Sequence, residues 1–445
     1  MSTIVSSVAS VDLAERFRAT RSRTLALVEP LTPEDMMVQS CPEASPAKWH
    51  LAHTTWFFES FVLREFLPAY QVFNPDFAWL FNSYYLSFTA FPEKRLRASF
   101  SRPSLEAILR YRQHVDEAID QLIETNPDPE VLKRIELGAN HEEQHQELLL
   151  TDILHALFTN PLRPAYRPWP SRDGRTSPVS QSAEETGPQW IAFEGGLVDI
   201  GHIGNGFSFD NELPRHRVWL DPYALASRLV TCGEYSDFIA DDGYQRPEFW
   251  LSAGWDTLQR EGWRAPLYWS NTGGAWTLFT LRGEQTLDAM RAAPVSQVSY
   301  FEADAYARWA GQRLATEFEW ESAAQEQSSL PIDGNLLDTD NLMPVPSLAQ
   351  IAPPAASLVG KAGSMQSCWG DCWEWTASAY LGYPGFHPLP GSLGEYNGKF
   401  MSGQMVLRGG SCVTPTAHIR ASYRNFFQPE TRWQFSGIRL ARAKP

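Results

Sequence analysis

Near residue 160 the chain changes texture, and that break constrains the fold more than any other feature. Before it come four stretches with apolar residues at helical spacing: LAERFRATRSRTLALVEPL, SPAKWHLAHTTWFFESFVLREFL, SRPSLEAILRYRQHVDEAIDQLIET and PEVLKRIELGANHEEQHQELLLTDILHALF. Four consecutive amphipathic helices predict a four-helix bundle. Ser45-Pro46 reads as a cap followed by proline at the first helical position, and Ser101 or Ser104 as the cap of the third helix. Leu105, Ile108, Leu109, Val115, Ile119 and Leu122 form that helix's expected buried stripe. After the break, NPLRPAYRPWPSRDGRTSPVSQSAEETGPQW has no period and reads as a linker. Beyond it come short β-like runs, many Gly and Trp, and one clear helix, SYFEADAYARWAGQ. The stretch from about Gln325 to Gly363 reads as a long surface loop. The expected organisation is a bundle over 1–165, a linker over 166–187, and an α+β domain with much irregular structure over 188–445.

A formal net charge of −15 argues against nucleic acid or an anionic membrane as partner. No apolar run is long enough to span a bilayer. The start, MSTIVSSVASVDLAERF, lacks a basic region followed by an apolar core, so the expectation is a cytoplasmic protein without a signal peptide. The five cysteines, Cys41, Cys232, Cys368, Cys372 and Cys412, are odd in number and scattered, which does not describe a disulfide framework.

The chemistry concentrates in the run HEEQHQE, residues 141–147. His141 and His145 stand one turn apart on one helical face, a metal-binding arrangement. His50 and His53 are also about a turn apart on another helix, and in a bundle one of them can join the pair. Three readings compete. A zinc protease would use Glu142 as general base, but Leu148 and Thr151 stand where the extended motif needs Gly and His. A di-iron bundle needs a second Glu-x-x-His, which the helices lack. A mononuclear site with three imidazoles keeps positions open, for oxygen and substrate with Fe(II) or for hydrolysis and thiol transfer with zinc.

Longer motifs carry a resemblance. Trp49-His50-Leu51-Ala52-His53-Thr54 with His141-Glu142-Glu143-Gln144-His145 resembles a DinB-type bundle. Asp210-Asn211-Glu212-Leu213-Pro214, the run GQRLATEFEWE from Gly311, Trp373-Glu374-Trp375-Thr376, Leu407-Arg408-Gly409-Gly410-Ser411 and the closing FSGIRLA from Phe435 resemble the formylglycine-generating-enzyme (C-type-lectin-like) domain. The two halves together are similar to the ergothioneine-biosynthesis sulfoxide synthases, non-haem iron enzymes that join a thiol to an imidazole C2 using oxygen. This resemblance implies His53, His141 and His145 as ligands of Fe(II), with O2 as co-substrate. It removes His50 from the ligand set and places Glu142 on the solvated face or behind the ligands.

Leu80-Phe81-Asn82-Ser83-Tyr84-Tyr85 resembles the branch of the family that takes free cysteine, in which Tyr84 or Tyr85 would supply a proton. The resemblance assigns Gln144 to the imidazole substrate, hercynine. It assigns the segment around Asn425, Phe426 and Phe427 to that substrate's trimethylammonium and carboxylate ends, with Trp373 and Trp375 as further wall candidates. Arg97 and Arg102 are candidates for the sulfur donor's carboxylate. The branch implies cysteine as donor; the loop LSFTAFPEKRLRASF departs from that branch's glycine and basic run, which keeps γ-glutamylcysteine as the second donor. A single cysteine, Cys412, near the closing motif argues against copper-dependent formylglycine formation. The alternatives are an ovothiol-type synthase acting on histidine C5, a zinc-dependent hydrolase or thiol transferase, and a non-catalytic ligand-binding protein.

Overall fold

The computed structural model describes residues 2–169, 187–327, 332–347 and 365–444. Most of the predicted linker, 170–186, and part of the predicted loop, 328–331 and 348–363, lie outside the described residues. The chain divides into two compact units, Met1–Pro161 with Leu389–Tyr396, and Leu162–Pro388 with Asn397–Pro445.

The first unit contains four long helices, Ser2–Val28, Ala47–Phe58, Leu105–Glu124 and Pro129–Thr159. The first packs on the fourth, and the second on both the third and the fourth. All twelve residues of the second helix are buried, as expected of a helix surrounded by its neighbours. It runs on through a π-helical turn, Glu59–Leu63, into Arg64–Phe66. Its start differs from the sequence reading. Pro46 is the cap residue, its carbonyl accepting from Trp49 and His50, and Ser45 Oγ instead accepts from Arg97. The third helix is capped by Ser104, which accepts from the Ala107 amide. Of its predicted stripe, Ile108, Val115, Ile119 and Leu122 are buried, but Leu109 is 40% exposed. One residue on from Ile108 is about 100° around the helix, so both cannot face the core.

The turn at Gly391–Glu395 belongs to this first unit by its contacts, although its sequence position falls in the range 188–445. The Glu395 carboxylate accepts from the backbone amides of Leu86 and Ser87 and from the Ser87 hydroxyl. Hydrogen bonds, not chain order, assign the segment.

The second unit is α+β. One antiparallel sheet sets Trp190–Phe193, Tyr223–Ala226, Leu440–Ala443 and Arg313–Leu314 side by side. Another runs Asn425–Phe427, Met405–Arg408, Trp373–Ala379 and Ser436–Gly437, its last pairing parallel. A hairpin (Gly196–Ile200 with His216–Leu220) and a three-stranded meander from Trp269 to Thr286 complete the strands described. Besides the helix at Tyr300–Trp309, helices form at Cys232–Ala240, Ser252–Glu261 and Glu317–Gln327. Within the predicted surface loop, Leu336, Leu337, Leu342 and Met343 are buried. Asn335 holds that stretch inward by donating to Asp371 at 2.6 Å and to the Met343 carbonyl at 2.9 Å.

The motifs of this unit meet as buried ion pairs. Glu317 accepts from Arg408 at 2.8 Å and from Arg424 at 2.9 and 3.0 Å. Glu374 accepts from Arg439 at 2.7 and 2.8 Å and from the Trp320 indole at 2.8 Å. Trp373 and Trp375 are at most 1% exposed, so their rings are core and present no free face to a ligand.

Candidate metal centre

His53 comes from the middle of the fully buried second helix, and His141 and His145 from one face of the fourth, which pack together. One nitrogen from each of these rings lies within 4.8 Å of the others. Among the described residues this is the one group of three or more His, Cys, Asp or Glu side chains placed to hold an ion. The ring centroids are 4.6–5.1 Å apart.

The donor set fits a metal. His53 Nδ1 is fixed at 2.6 Å from the Phe81 carbonyl, and a carbonyl only accepts, so Nδ1 carries the proton. The remaining nitrogen, Nε2, is buried with no hydrogen-bond partner, and both nitrogens of His141 are likewise bare. Burial pushes the His141 imidazole down to about 3, against the attraction of Glu142. Burial and neighbouring imidazoles hold His53 and His145 well below the ordinary histidine range. All three rings are therefore neutral, the form that binds a metal. Buried polar atoms are rarely left unpaired, and bare nitrogens on two of the converging rings, His53 and His141, require an explanation that a metal ion supplies.

The aromatic surroundings fix the site. His53 stacks between the indoles of Trp49 (4.4 Å, 12°) and Trp56 (5.3 Å, 15°). Arg97 lies over Trp49, its guanidinium carbon 3.5 Å from the ring centroid, and donates to Ser45 Oγ at 2.8 Å. Burial pushes Arg97 down to about 9, with Asp152 opposing the shift. Arg102 is exposed, in the turn before the third helix. The two candidate arginines thus occupy different environments, and only Arg97 is packed against the histidines' aromatic neighbours.

Tyr85 is fully buried, 5.6 Å from Trp56 ring to ring, and Tyr84 stacks on it at 4.5 Å. The Tyr84 hydroxyl lies 3.4 Å from that of Tyr85. Burial, then the proximity of Tyr84 and Tyr396, pushes the Tyr85 phenol well above its ordinary value, so it stays protonated. Sequence reasoning missed Tyr396. Its hydroxyl donates to Gln144 Oε1, and its ring lies 5.6 Å from His141 and 6.5 Å from Tyr84. Nothing in the local sequence GEYNG marks it, because it reaches the site only when the chain turns back 252 residues beyond Gln144.

Glu142 is not on the solvated face. It is fully buried and accepts from Arg21 at 2.7 Å, from Thr24 at 2.6 Å and from Arg112. Burial alone would raise this carboxyl; Arg112 and Arg21 with the Thr24 hydroxyl overcome it and hold it down to about 2. A carboxylate locked between two guanidiniums has no basicity left for water activation, which removes the zinc-protease assignment. Asn425, Phe426 and Phe427 are half-buried on a short strand of the second unit. Phe426 stacks on Tyr380 at 4.0 Å, committing one face, and Asn425 Oδ1 accepts from the Phe426 amide.

A three-histidine bundle joined in one chain to an α+β domain of this topology defines a class. Residues 16–149 match the DinB superfamily, and residues 176–444 match the sulfatase-modifying factor enzyme 1-like domain. Two relatives are named hercynine oxygenase. The one from Mycolicibacterium smegmatis is 32% identical over 98% of this chain and 99% of its own length. The one from Mycobacterium tuberculosis is 32% identical over 96% of this chain and 98% of its own. Ergothioneine biosynthesis protein 1 of Schizosaccharomyces pombe is 26% identical over 53% of this chain and 28% of its own length. The chain belongs to the hercynine oxygenase family and is an oxidoreductase of the oxygenase class, which sets aside the reading of a non-catalytic binding protein. No helix among the described residues is long and apolar enough to cross a membrane.

Proposed function

We propose that this chain is an iron(II)- and oxygen-dependent sulfoxide synthase that joins a thiol to the imidazole C2 of hercynine, with cysteine as first donor and γ-glutamylcysteine as second. The carrying observation is the trio of neutral, convergent imidazoles, which Trp56 and Tyr396 connect to the Tyr84–Tyr85 pair. The match to hercynine oxygenases along the whole chain supports it. In the overall reaction the imidazole C–H and the thiol S–H break, a C–S and an S–O bond form, and the second oxygen atom leaves as water.

His53, His141 and His145 hold the ion. Bound there, iron(II) supplies redox chemistry toward oxygen and acidifies the donor thiol. Tyr85, kept as a phenol by burial, carries the proton the reaction needs, and Tyr84 relays through the contact between their hydroxyls. Gln144, oriented by Tyr396, presents its amide to the imidazole substrate. Arg97, buried without a bidentate carboxylate partner of its own, is the stronger candidate for the donor's carboxylate. The test is anaerobic reconstitution with Fe(II), then mass spectrometry of products from hercynine with cysteine or γ-glutamylcysteine. The sulfoxide is expected only after oxygen is admitted, and product formed without oxygen would defeat the assignment.

A further inference from the structure

His50 is absent from the trio, yet it contacts it. Its Nδ1 lies 2.9 Å from His145 Nδ1, and its Nε2 lies 3.1 Å from Asp152 Oδ2. Asp152 Oδ2 in turn accepts from the Ser45 amide at 2.8 Å. His50 is 2% and Asp152 8% exposed, so water does not compete freely for these bonds. The chain ties the fourth helix, which carries Asp152 and His145, to the entry of the second.

The polarity of this chain follows from what each atom can do. A carboxylate only accepts, so the proton of the His50–Asp152 contact is on His50 Nε2. A neutral His50 then has a bare Nδ1, which accepts. The facing His145 Nδ1 must donate, and a neutral His145 is left with an unprotonated Nε2. The opposite polarity would put the proton on His145 Nε2 and block a metal there. The Phe81 carbonyl does the same for His53, whereas neither nitrogen of His141 has a hydrogen-bond partner.

We propose that His50 and Asp152 are positioning residues that fix the tautomer and orientation of His145 so that its Nε2 faces the ion. The inference rests on the three-histidine metal reading and goes beyond it by assigning work to two residues that do not bind the ion. Partners of this kind behind metal-bound histidines typically change affinity about 10–100-fold when removed.

The test titrates the metal-free full-length protein with cobalt(II), following heat by calorimetry and the ligand-field bands in the visible. His50→Phe keeps a ring but neither accepts nor donates; His50→Gln offers an amide that does both. We expect His50→Phe to weaken cobalt by about 10–100-fold with altered bands, and His50→Gln to restore most of the affinity and the wild-type spectrum. Asp152→Ala should weaken binding as well, and the double variant should bind no more weakly than His50→Phe, because the chain acts as one unit. If His50→Phe does not fold, the comparison of His50→Gln with Asp152→Ala carries the same decision. Wild-type affinity and spectrum in His50→Phe, or His50→Gln no better than His50→Phe, would overturn the chain. Failure of the wild type itself to bind cobalt, with His53→Ala indistinguishable from it, would instead defeat the metal centre.

Discussion

The Glu317 and Glu374 clusters of the second unit and the histidine trio of the first treat buried polar groups in opposite ways. In the second unit, Glu317 is met by two guanidiniums and Glu374 by a guanidinium and an indole. In the first, three imidazoles converge, and two of them, His53 and His141, keep bare nitrogens. A buried donor or acceptor left unpaired costs about 1–3 kcal/mol, so the histidine trio weakens the metal-free bundle that contains it. The ion-pair clusters hold strands and a helix in register, whereas the trio is stored binding capacity. The contrast recurs within one turn of the fourth helix: His141 is bare, and its neighbour Glu142 is bound to Arg21, Arg112 and Thr24.

The largest effect should come from the bare side of this comparison. His53→Ala removes a ligand from the second helix and should abolish iron(II) or cobalt(II) binding by calorimetry, and product formation with it. The metal-free variant should also lose about 2–5 kcal/mol of stability, because the ring stacked on Trp49 and Trp56 leaves a cavity and the Phe81 carbonyl loses its donor. Metal affinity retained in this variant would show that His53 is not a ligand. Next, Tyr85→Phe should slow product formation by about 10²–10⁴-fold, the range for loss of a positioned proton donor. Metal affinity should be unchanged; a parallel loss of affinity would show that Tyr85 shapes the site instead.

On the paired side, Glu317→Ala leaves Arg424 buried without its carboxylate and Arg408 with Glu321 alone, 3.0 Å away. It should cost about 3–5 kcal/mol in urea unfolding, the range for breaking a buried ion pair. A loss below about 1 kcal/mol would place this cluster with ordinary surface pairs.

The smallest effect expected is a pH dependence. Against burial, Arg112 and Arg21 hold the Glu142 carboxyl down to about 2 in the fold, below its ordinary 4.5. Its folded-state value is depressed, so its contribution is fully present above 4.5 and disappears as pH falls toward 2. The amount is on the order of 3 kcal/mol. Glu142→Gln should flatten the slope of unfolding free energy across that window; an unchanged slope would show that other carboxyls set it.

Much of the site was legible in the sequence because helical period is local. His141 and His145 share a face by spacing alone, and Trp49, Leu51, Ala52, Trp56, Phe57 and Phe58 around His53 suit an interior helix. The choice between His50 and His53 was not legible by spacing. Both are buried in the same helix, but Asp152 and His145 engage His50 while Phe81 leaves His53 Nε2 bare. Family motifs flagged Glu317, Glu374, Arg408 and Arg439 without saying that they meet each other. The wall assigned to Trp373 and Trp375 failed because an indole suits a core as well as a pocket, and only packing distinguishes the two.

By itself the sequence determined the helices of the first unit, the break near residue 160 and the face that carries two metal ligands. These depend on periodicity and on residue chemistry within a turn or two. Only the tertiary structure decided which nitrogens are left without partners, that Glu142 is locked between arginines, and that Tyr396 joins a bundle whose last helix ends more than two hundred residues earlier. Those outcomes depend on which groups from distant parts of the chain occupy the same volume, and burial then fixes their protonation.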